Sequence, residues 1–215
     1  MQITKHNYRQ YPAYNYSFLP NVKRMLQGLP LTTETPSMTF GTIMHKVILE
    51  HEPIENFDLS PARQRKAEGM LDAAREDAFF RSWILDDTET PILWRDRVTK
   101  LRCKGLIDKK RPDEAFDFKT TSVTTEIEFR QAIRKYDYER QAAFYLDGAR
   151  VKTFHIVAIS TKAPHPIFRY TYTKRKRSID AARRRYRFLL RKCKALGIKP
   201  NYDLVRLEQQ LPVAV

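Results

Sequence analysis

The sequence is poor in cysteine, and this scarcity argues against several classes of protein. Cys103 and Cys193 are the only cysteines in 215 residues, and they lie far apart, outside any CxxC or Cys–His spacing. A disulfide framework, a structural zinc site and an iron–sulfur cluster are therefore disfavoured. Both cysteines have apolar neighbours, so we expect two plain buried thiols.

Long apolar runs are also missing. No run approaches the ~20 residues that a bilayer span needs, and the first residues lack the apolar centre of a secretory signal. Internal repeats and low-complexity linkers are absent as well. Hydrophobic residues make up 42% and aromatic residues 12% of the chain, which favours a folded core. We expect one soluble, cytoplasmic domain without a membrane partner.

Acidic residues are outnumbered by basic ones. The chain has 40 Lys and Arg against 25 Asp and Glu, a net charge of +15 and a pI near 9.9. Eleven basic residues and one acid lie within 174–194, so this segment alone carries a surplus of ten. Such a concentrated surplus favours a polyanionic partner, most simply nucleic acid.

The pattern of apolar and polar residues predicts an α/β fold. We expect an irregular N-terminal arm (1–37), a core (38–173), and a basic C-terminal helix and tail (174–215), all within one domain. The predicted helices cover 17–27, 38–51, 60–85, 125–135, 137–149 and 178–196. The predicted strands cover 91–98, 101–108, 114–120, 153–161 and 166–172, with the fourth in the sheet interior and the fifth nearer an edge.

The stretch "FDFKTT" places two opposite charges on one face of a predicted strand. Asp117 and Lys119 share that face, while Phe116 and Phe118 take the other. Asp108 ends the preceding strand, so the two carboxylates can converge on a divalent cation if the strands are neighbours. Lys119 could then meet a phosphate or orient water. The alternative is a solvated Asp–Lys pair beside an aspartate that opens a turn.

Two helices add weaker signals. His45 lies one turn after Gly41 on a largely apolar helix, where it could be either a buried core histidine or a metal ligand. Gln141 and Tyr145 are four residues apart on one helical face. They could contact a phosphate or hold the lysine, or they could simply flank an apolar stripe.

Four motifs, "GTIMH", "KGLID", "FDFKT" and "RQAAFY", occur in this order within a stretch, 17–172, that resembles a known family over its whole length. Their order and spacing resemble the PD-(D/E)xK nuclease superfamily, most closely the RecE-type exonucleases of phages and prophages, and more distantly lambda exonuclease and the RecB nuclease domain. The resemblance implies a restriction-endonuclease-like core, with a central mixed sheet flanked by helices.

The resemblance also implies roles for individual residues. It makes Lys119 the catalytic lysine, and it adds Gln141 and Tyr145 as the motif that follows the core. Glu89 and Glu50 stand near these motifs without a defined role. The implied metal ligands are His45, Asp108, Asp117 and the carbonyl of Phe118, and the implied DNA contacts are Arg175, Arg184, Arg187 and Arg191.

The implied activity is hydrolysis of linear double-stranded DNA from the 5′ end with Mg²⁺, in phage-type recombination. Mn²⁺ should also be accepted, because imidazole suits transition ions. The relatives are ring-shaped oligomers, so a homo-oligomeric ring (a trimer or tetramer) and a single-strand annealing partner are expected by resemblance alone. The alternatives are an endonuclease or structure-specific repair nuclease of the same fold, and a non-catalytic DNA-binding protein.

Overall fold

Five strands form one mixed sheet in the computed structural model, which describes residues 2–200. The strands are β1 (Thr88–Arg95), β2 (Arg102–Lys110), β3 (Glu114–Thr121), β4 (Thr153–Ser160) and β5 (Ile167–Thr173). They are arranged in the order β1-β2-β3-β4-β5, with β3 and β4 parallel and the other pairs antiparallel. The predicted hairpin of β1 and β2 and the predicted edge position of β5 are both confirmed.

Helices cover both faces of this sheet. They are α1 (Phe18–Leu26), α2 (Pro36–Leu49), α3 (Pro61–Glu76), α4 (Ala78–Ser82), α5 (Glu126–Lys135), α6 (Tyr138–Ala149) and α7 (Arg177–Ala195). Phe116 and Phe118 join a core with α2, α3 and α4, while Ala115 joins a second core with α1, α5, α6 and α7. The predicted α/β fold, a central mixed sheet flanked by helices, is therefore confirmed.

One predicted helix is divided in two. The sequence pattern predicts a single helix over 60–85, but α3 ends at Glu76. The side chain of Asp77 accepts the backbone N–H of Phe80 at 3.0 Å and so starts α4 as a new helix. Aspartate favours such a capping position over a helix interior. The break turns Phe80 into the core against Phe116 and Phe118.

The N-terminal segment is part of the core rather than an arm. Tyr14 pairs with Cys103 of β2 in an isolated parallel bridge. The ammonium of Lys104, 1% exposed, donates to the carbonyls of Tyr8 and Tyr11, both at 2.6 Å. Burying a charged group is costly unless it is hydrogen-bonded, so these carbonyls tie the segment to the sheet. The tail predicted for 201–215 lies outside the described residues.

Candidate active site

The candidate site lies where β2 and β3 separate. Their ladder has two residue pairs, and the one nearer the site joins Lys109 to Phe116. One residue further, Asp108 Oδ2 accepts the backbone N–H of Phe118 at 2.6 Å. The carboxylate therefore accepts a backbone N–H of β3 that would bond to β2 if the ladder continued. Asp108 consequently reaches across to β3 beside Asp117, as the sequence predicts.

His45 approaches this point from α2. Gly41, one turn earlier, permits the approach, because a Cβ there would lie 3.2 Å from Thr120 Oγ1. Nε2 of His45 lies 3.0 Å from Asp108 Oδ1. His45 therefore contacts a carboxylate at the site instead of filling an apolar core.

Asp117 and Lys119 share one face of β3, as predicted. Lys119 Nζ lies 2.5 Å from Asp117 Oδ2, and Gln141 Nε2 donates to Asp117 Oδ1 at 2.8 Å from α6. Asp117 is only 6% exposed, so the pair is not a solvated surface pair. The two contacts fix the orientation of the Asp117 carboxylate.

The donor set fits a divalent cation. Two carboxylates and an imidazole converge, and hard or borderline cations take oxygen and imidazole ligands. Oδ2 of Asp117 is buried and lies 2.5 Å from the Lys119 ammonium. Carboxylate oxygens held in place in this way are suited to ligate a hard cation. The candidate metal ligands are thus His45, Asp108 and Asp117.

The charges at the site shift one another's pKa values. Burial raises the pKa of Asp117 from 3.8 to about 6. The Lys119 ammonium opposes this rise, and the Asp108 carboxylate adds to it. Burial opposes ionisation of Asp108, but the charge of His45 and its hydrogen bond lower that pKa. For His45, burial lowers the pKa, and Asp108 outweighs burial and brings it to about 9. Without a cation, protons on His45 and Asp117 partly offset the acidic charge.

A second acidic group adjoins the site. Ligand atoms of His45, Glu50 and Glu89 lie within 4.8 Å of one another. Lys5 Nζ lies 2.9 Å from Glu50 Oε2 and 2.7 Å from Glu89 Oε2. The sequence left Glu50 and Glu89 without a role and gave no signal for Lys5, which the folded N-terminal segment brings here. This ammonium is a built-in positive charge beside His45.

The ring of Tyr145 packs in the apolar core. It stacks on Phe154 with centroids 5.4 Å apart and covers Gly105, where a Cβ would lie 2.7 Å from the ring. Gln141 and Tyr145 share a helix; Gln141 reaches Asp117, and the Tyr145 ring contacts the sheet. This packing makes the ring a positioning contact between α6 and β2, and the catalytic role of Tyr145 stays a prediction.

The predicted DNA-contacting arginines divide into two kinds. Arg187 Nε lies 2.9 Å from Asp96 Oδ2 and its Nη2 lies 3.2 Å from Asp147 Oδ2. These two carboxylates engage its guanidinium, so we interpret Arg187 as part of a structural ion pair, and its DNA contact stays a prediction. The other three predicted contacts are exposed: Arg175, Arg184 and Arg191.

A mixed sheet with an aspartate near the end of one strand and a D-x-K sequence on the next defines a PD-(D/E)xK-type domain with a restriction-endonuclease-like fold. The chain belongs to the family described as PDDEXK-like domain of unknown function (DUF3799), whose profile matches residues 21–202. No curated protein matches the chain.

Three solved structures are similar to this chain to different degrees. An exonuclease candidate from Eubacterium rectale is 14% identical, with a TM-score of 0.71 over 100% of this chain and 96% of that one. An alkaline exonuclease from Laribacter hongkongensis is 15% identical over 89% of this chain and 93% of its own, at a TM-score of 0.47. A phage-related exonuclease from Haemophilus somnus is 16% identical over 87% of this chain and 96% of its own, at a TM-score of 0.46. Only the first of these three is similar enough to show a common fold.

Within residues 2–200, none of the helices combines the length and apolar character that a membrane span requires.

Proposed function

We propose that the protein is a metal-dependent DNA exonuclease that hydrolyses linear double-stranded DNA. The observation that carries the proposal is the convergence of four side chains where β2 and β3 separate. His45 contacts Asp108 at 3.0 Å, and Lys119 contacts Asp117 at 2.5 Å. The family and the exonuclease candidate from Eubacterium rectale support it.

Divalent metal chemistry suits this donor set. When bound, Mg²⁺ or Mn²⁺ stabilises charge that develops on a phosphate and makes water more acidic. Asp108 and Asp117 provide the negative charge that attracts the cation, and His45 adds an imidazole, which suits Mn²⁺. The carbonyl of Phe118 completes the ligand set by resemblance.

The remaining side chains position substrate and ligands. Lys119 is 28% exposed, so its ammonium can donate to a phosphate oxygen while it stays beside Asp117. Gln141 holds the Asp117 carboxylate by donating to Oδ1, the oxygen opposite the one that contacts Lys119. Exposed arginines of α7 and its preceding turn, Arg175, Arg184 and Arg191, give phosphate contacts that do not depend on sequence.

The test is digestion of linear duplex DNA with Mg²⁺ or Mn²⁺. Asp117→Asn and Lys119→Ala should abolish digestion, whereas the matched control Asp113→Asn should keep it, because Asp113 is exposed in the β2–β3 turn and pairs with Lys152. Equal digestion by Asp117→Asn and the wild type would show that the site is wrongly assigned.

A covalently closed circle separates the alternatives. An exonuclease leaves it intact, an endonuclease or structure-specific repair nuclease cuts it, and a non-catalytic binder cleaves neither form. End-labelled duplexes test the proposed 5′-to-3′ direction.

Assembly and biological context belong to the proposal through the RecE-type resemblance. We propose a ring-shaped trimer or tetramer that acts with a single-strand annealing protein in phage-type recombination. Gel filtration with light scattering tests the ring, because a monomeric mass at working concentration contradicts it.

A further inference from the structure

A groove of about 670 Å³ begins at the end of β3, directly beyond the candidate site. Its charged lining residues are Arg63, Lys66, Lys135, Lys162 and Glu128. Glu128 is engaged at the start of α5, where its carboxylate accepts the N–H groups of Thr124 and Thr125 at 2.8 and 3.2 Å. The four cations therefore dominate the charge of the groove.

These cations are available to a ligand. Within the part of the chain that the structure describes, none of the four forms an ion pair, and each side chain is exposed. They come from α3, the end of α5 and the β4–β5 turn, so the fold gathers them from three separate segments. An unpaired cluster of this kind is suited to phosphate groups.

Aromatic rings connect the groove to the candidate catalytic lysine. Tyr138 lies with its ring centroid 5.9 Å from Lys119 Nζ. Tyr136 stacks on Tyr138 with centroids 5.7 Å apart and planes at 27°, and it remains 55% exposed. The ammonium of Lys135 lies 5.4 Å from the Tyr136 centroid, so a cation and an exposed ring stand together.

We propose that this groove binds the single-stranded DNA segment that adjoins the scissile phosphate, with a base stacked on Tyr136 and phosphates on the four cations. The inference rests on the proposed nuclease function and names where its substrate strand lies. Aromatic platforms beside basic residues bind single strands, because unpaired bases expose faces that a duplex keeps stacked inside. The hydroxyls of Thr120 and Thr121 continue the polar lining from β3.

Binding in EDTA tests the groove apart from cleavage. We would titrate wild type, Tyr136→Ala and Tyr136→Trp into a fluorescent single strand of about 12 nucleotides and follow anisotropy. Tyr136→Ala should weaken single-strand binding roughly 5- to 100-fold, and Tyr136→Trp should restore it. Blunt duplex of the same sequence should bind nearly equally to all three. Unchanged melting temperatures would verify that the exposed substitution leaves the fold intact.

Charge variants test the same groove. Lys135→Ala and Lys162→Ala should each reduce the slope of log affinity against log salt for the single strand by about 0.7. The matched control is Lys152→Ala, an exposed lysine that pairs with Asp113 just before β4 and does not line the groove; it should leave the single-strand salt slope unchanged.

The outcomes separate the groove from the nuclease proposal. If wild type digests linear DNA but Tyr136→Ala keeps full single-strand affinity, the groove proposal is overturned and the nuclease proposal stands. Equal losses for single strand and duplex also overturn it. If wild type neither binds nor digests DNA, the nuclease proposal is wrong, and the groove proposal is wrong with it.

Discussion

Two regions of the molecule carry positive charge, and they differ in what that charge contacts. In α7 the density is high, but three arginines are engaged by carboxylates: Arg183 by Asp147 at 2.9 Å, Arg185 by Asp137 at 2.8 Å and Arg187 by Asp96 at 2.9 Å. In the groove beyond Lys119 the cations are fewer and unpaired among the described residues. The partners of a charge, rather than its local density, indicate its role.

Burial explains the contrast. Asp96 is 1% exposed and also accepts the backbone N–H of Thr99 at 2.7 Å. A carboxylate removed from water in this way needs a counter-charge, and Arg187 supplies it. Part of the basic excess of α7 therefore fixes α7 to α6 and to the β1–β2 turn, and only the rest remains for DNA.

The largest expected effect sharpens this comparison at the candidate site. Asp108→Asn removes the charge that holds His45 and attracts a cation, so digestion of linear DNA should fall by about a thousandfold or more. Arg184→Ala, an exposed change on α7, should instead weaken duplex binding and reduce its salt slope by about 0.9. Initial rates and affinities at several salt concentrations give both numbers. A comparable loss of rate in Arg184→Ala would break the comparison.

The second prediction tests whether the ion-paired arginine Arg187 of α7 stabilises the fold. Arg187→Ala leaves Asp96 buried without its counter-charge, so the free energy of unfolding should fall by about 2–4 kcal/mol and the melting temperature by roughly 5–10 °C. Thermal unfolding followed by circular dichroism measures this. Arg191→Ala, one turn further and exposed, is the matched control and should change stability little. Loss of DNA affinity in Arg187→Ala without loss of stability would show that α7 contacts DNA through this arginine.

The sequence predicted the arrangement of the candidate site wherever the signal was local. Strand alternation placed Asp117 and Lys119 on one face, because the period of two follows from an extended backbone. Gly41, which the sequence places one turn before His45, leaves the space for the close approach of α2 to β3. Helical spacing paired Gln141 with Tyr145, yet it could not show that Gln141 reaches Asp117 while the Tyr145 ring stacks on Phe154.

The sequence could not predict partners that folding brings from far away. Arg187 meets Asp96 from 91 residues along the chain, and Lys5 meets Glu50 from 45 residues along it. Tertiary pairing of this kind leaves no periodic pattern. The density of charge in 174–194 is therefore larger than the charge that α7 leaves without a carboxylate partner. The groove cations, spread over three segments, gave no signal.

The third prediction concerns the contact that orients Asp117. Gln141→Ala removes the donor to Oδ1, so affinity for Mn²⁺ should fall about 10- to 100-fold, as for other residues that orient metal ligands. Calorimetric titration with Mn²⁺ measures the affinity directly. High metal concentration should restore most of the digestion rate, which a merely unfolded variant would not show. The control is Gln64→Ala, at an exposed position of α3. Equal Mn²⁺ affinities in wild type and Gln141→Ala would contradict the positioning role.

The smallest expected effect concerns pH and the metal-free protein. The pKa of His45 is raised from 6.5 to about 9, so the folded state binds more protons than the unfolded state between these pH values. The free energy of unfolding should therefore fall as pH rises through this window, by on the order of 1–2 kcal/mol, or a few degrees in melting temperature. Asp117, with its pKa raised from 3.8 to about 6, acts in the same direction at lower pH.

Melting curves in EDTA from pH 6 to 9.5 test this, with His45→Gln expected to flatten the slope and Gln64→Ala, an exposed change that removes no titrating group, expected to leave it unchanged. Added Mn²⁺ should stabilise the wild type more at pH 9 than at pH 6, because the cation competes with the protons on His45 and Asp117 for the same groups. If melting temperature still falls with pH in His45→Gln, the pH dependence arises outside the candidate site. That result would also weaken the comparison between the two sets of charges, those at β2 and β3 that bind a ligand and those in α7 that stabilise the fold.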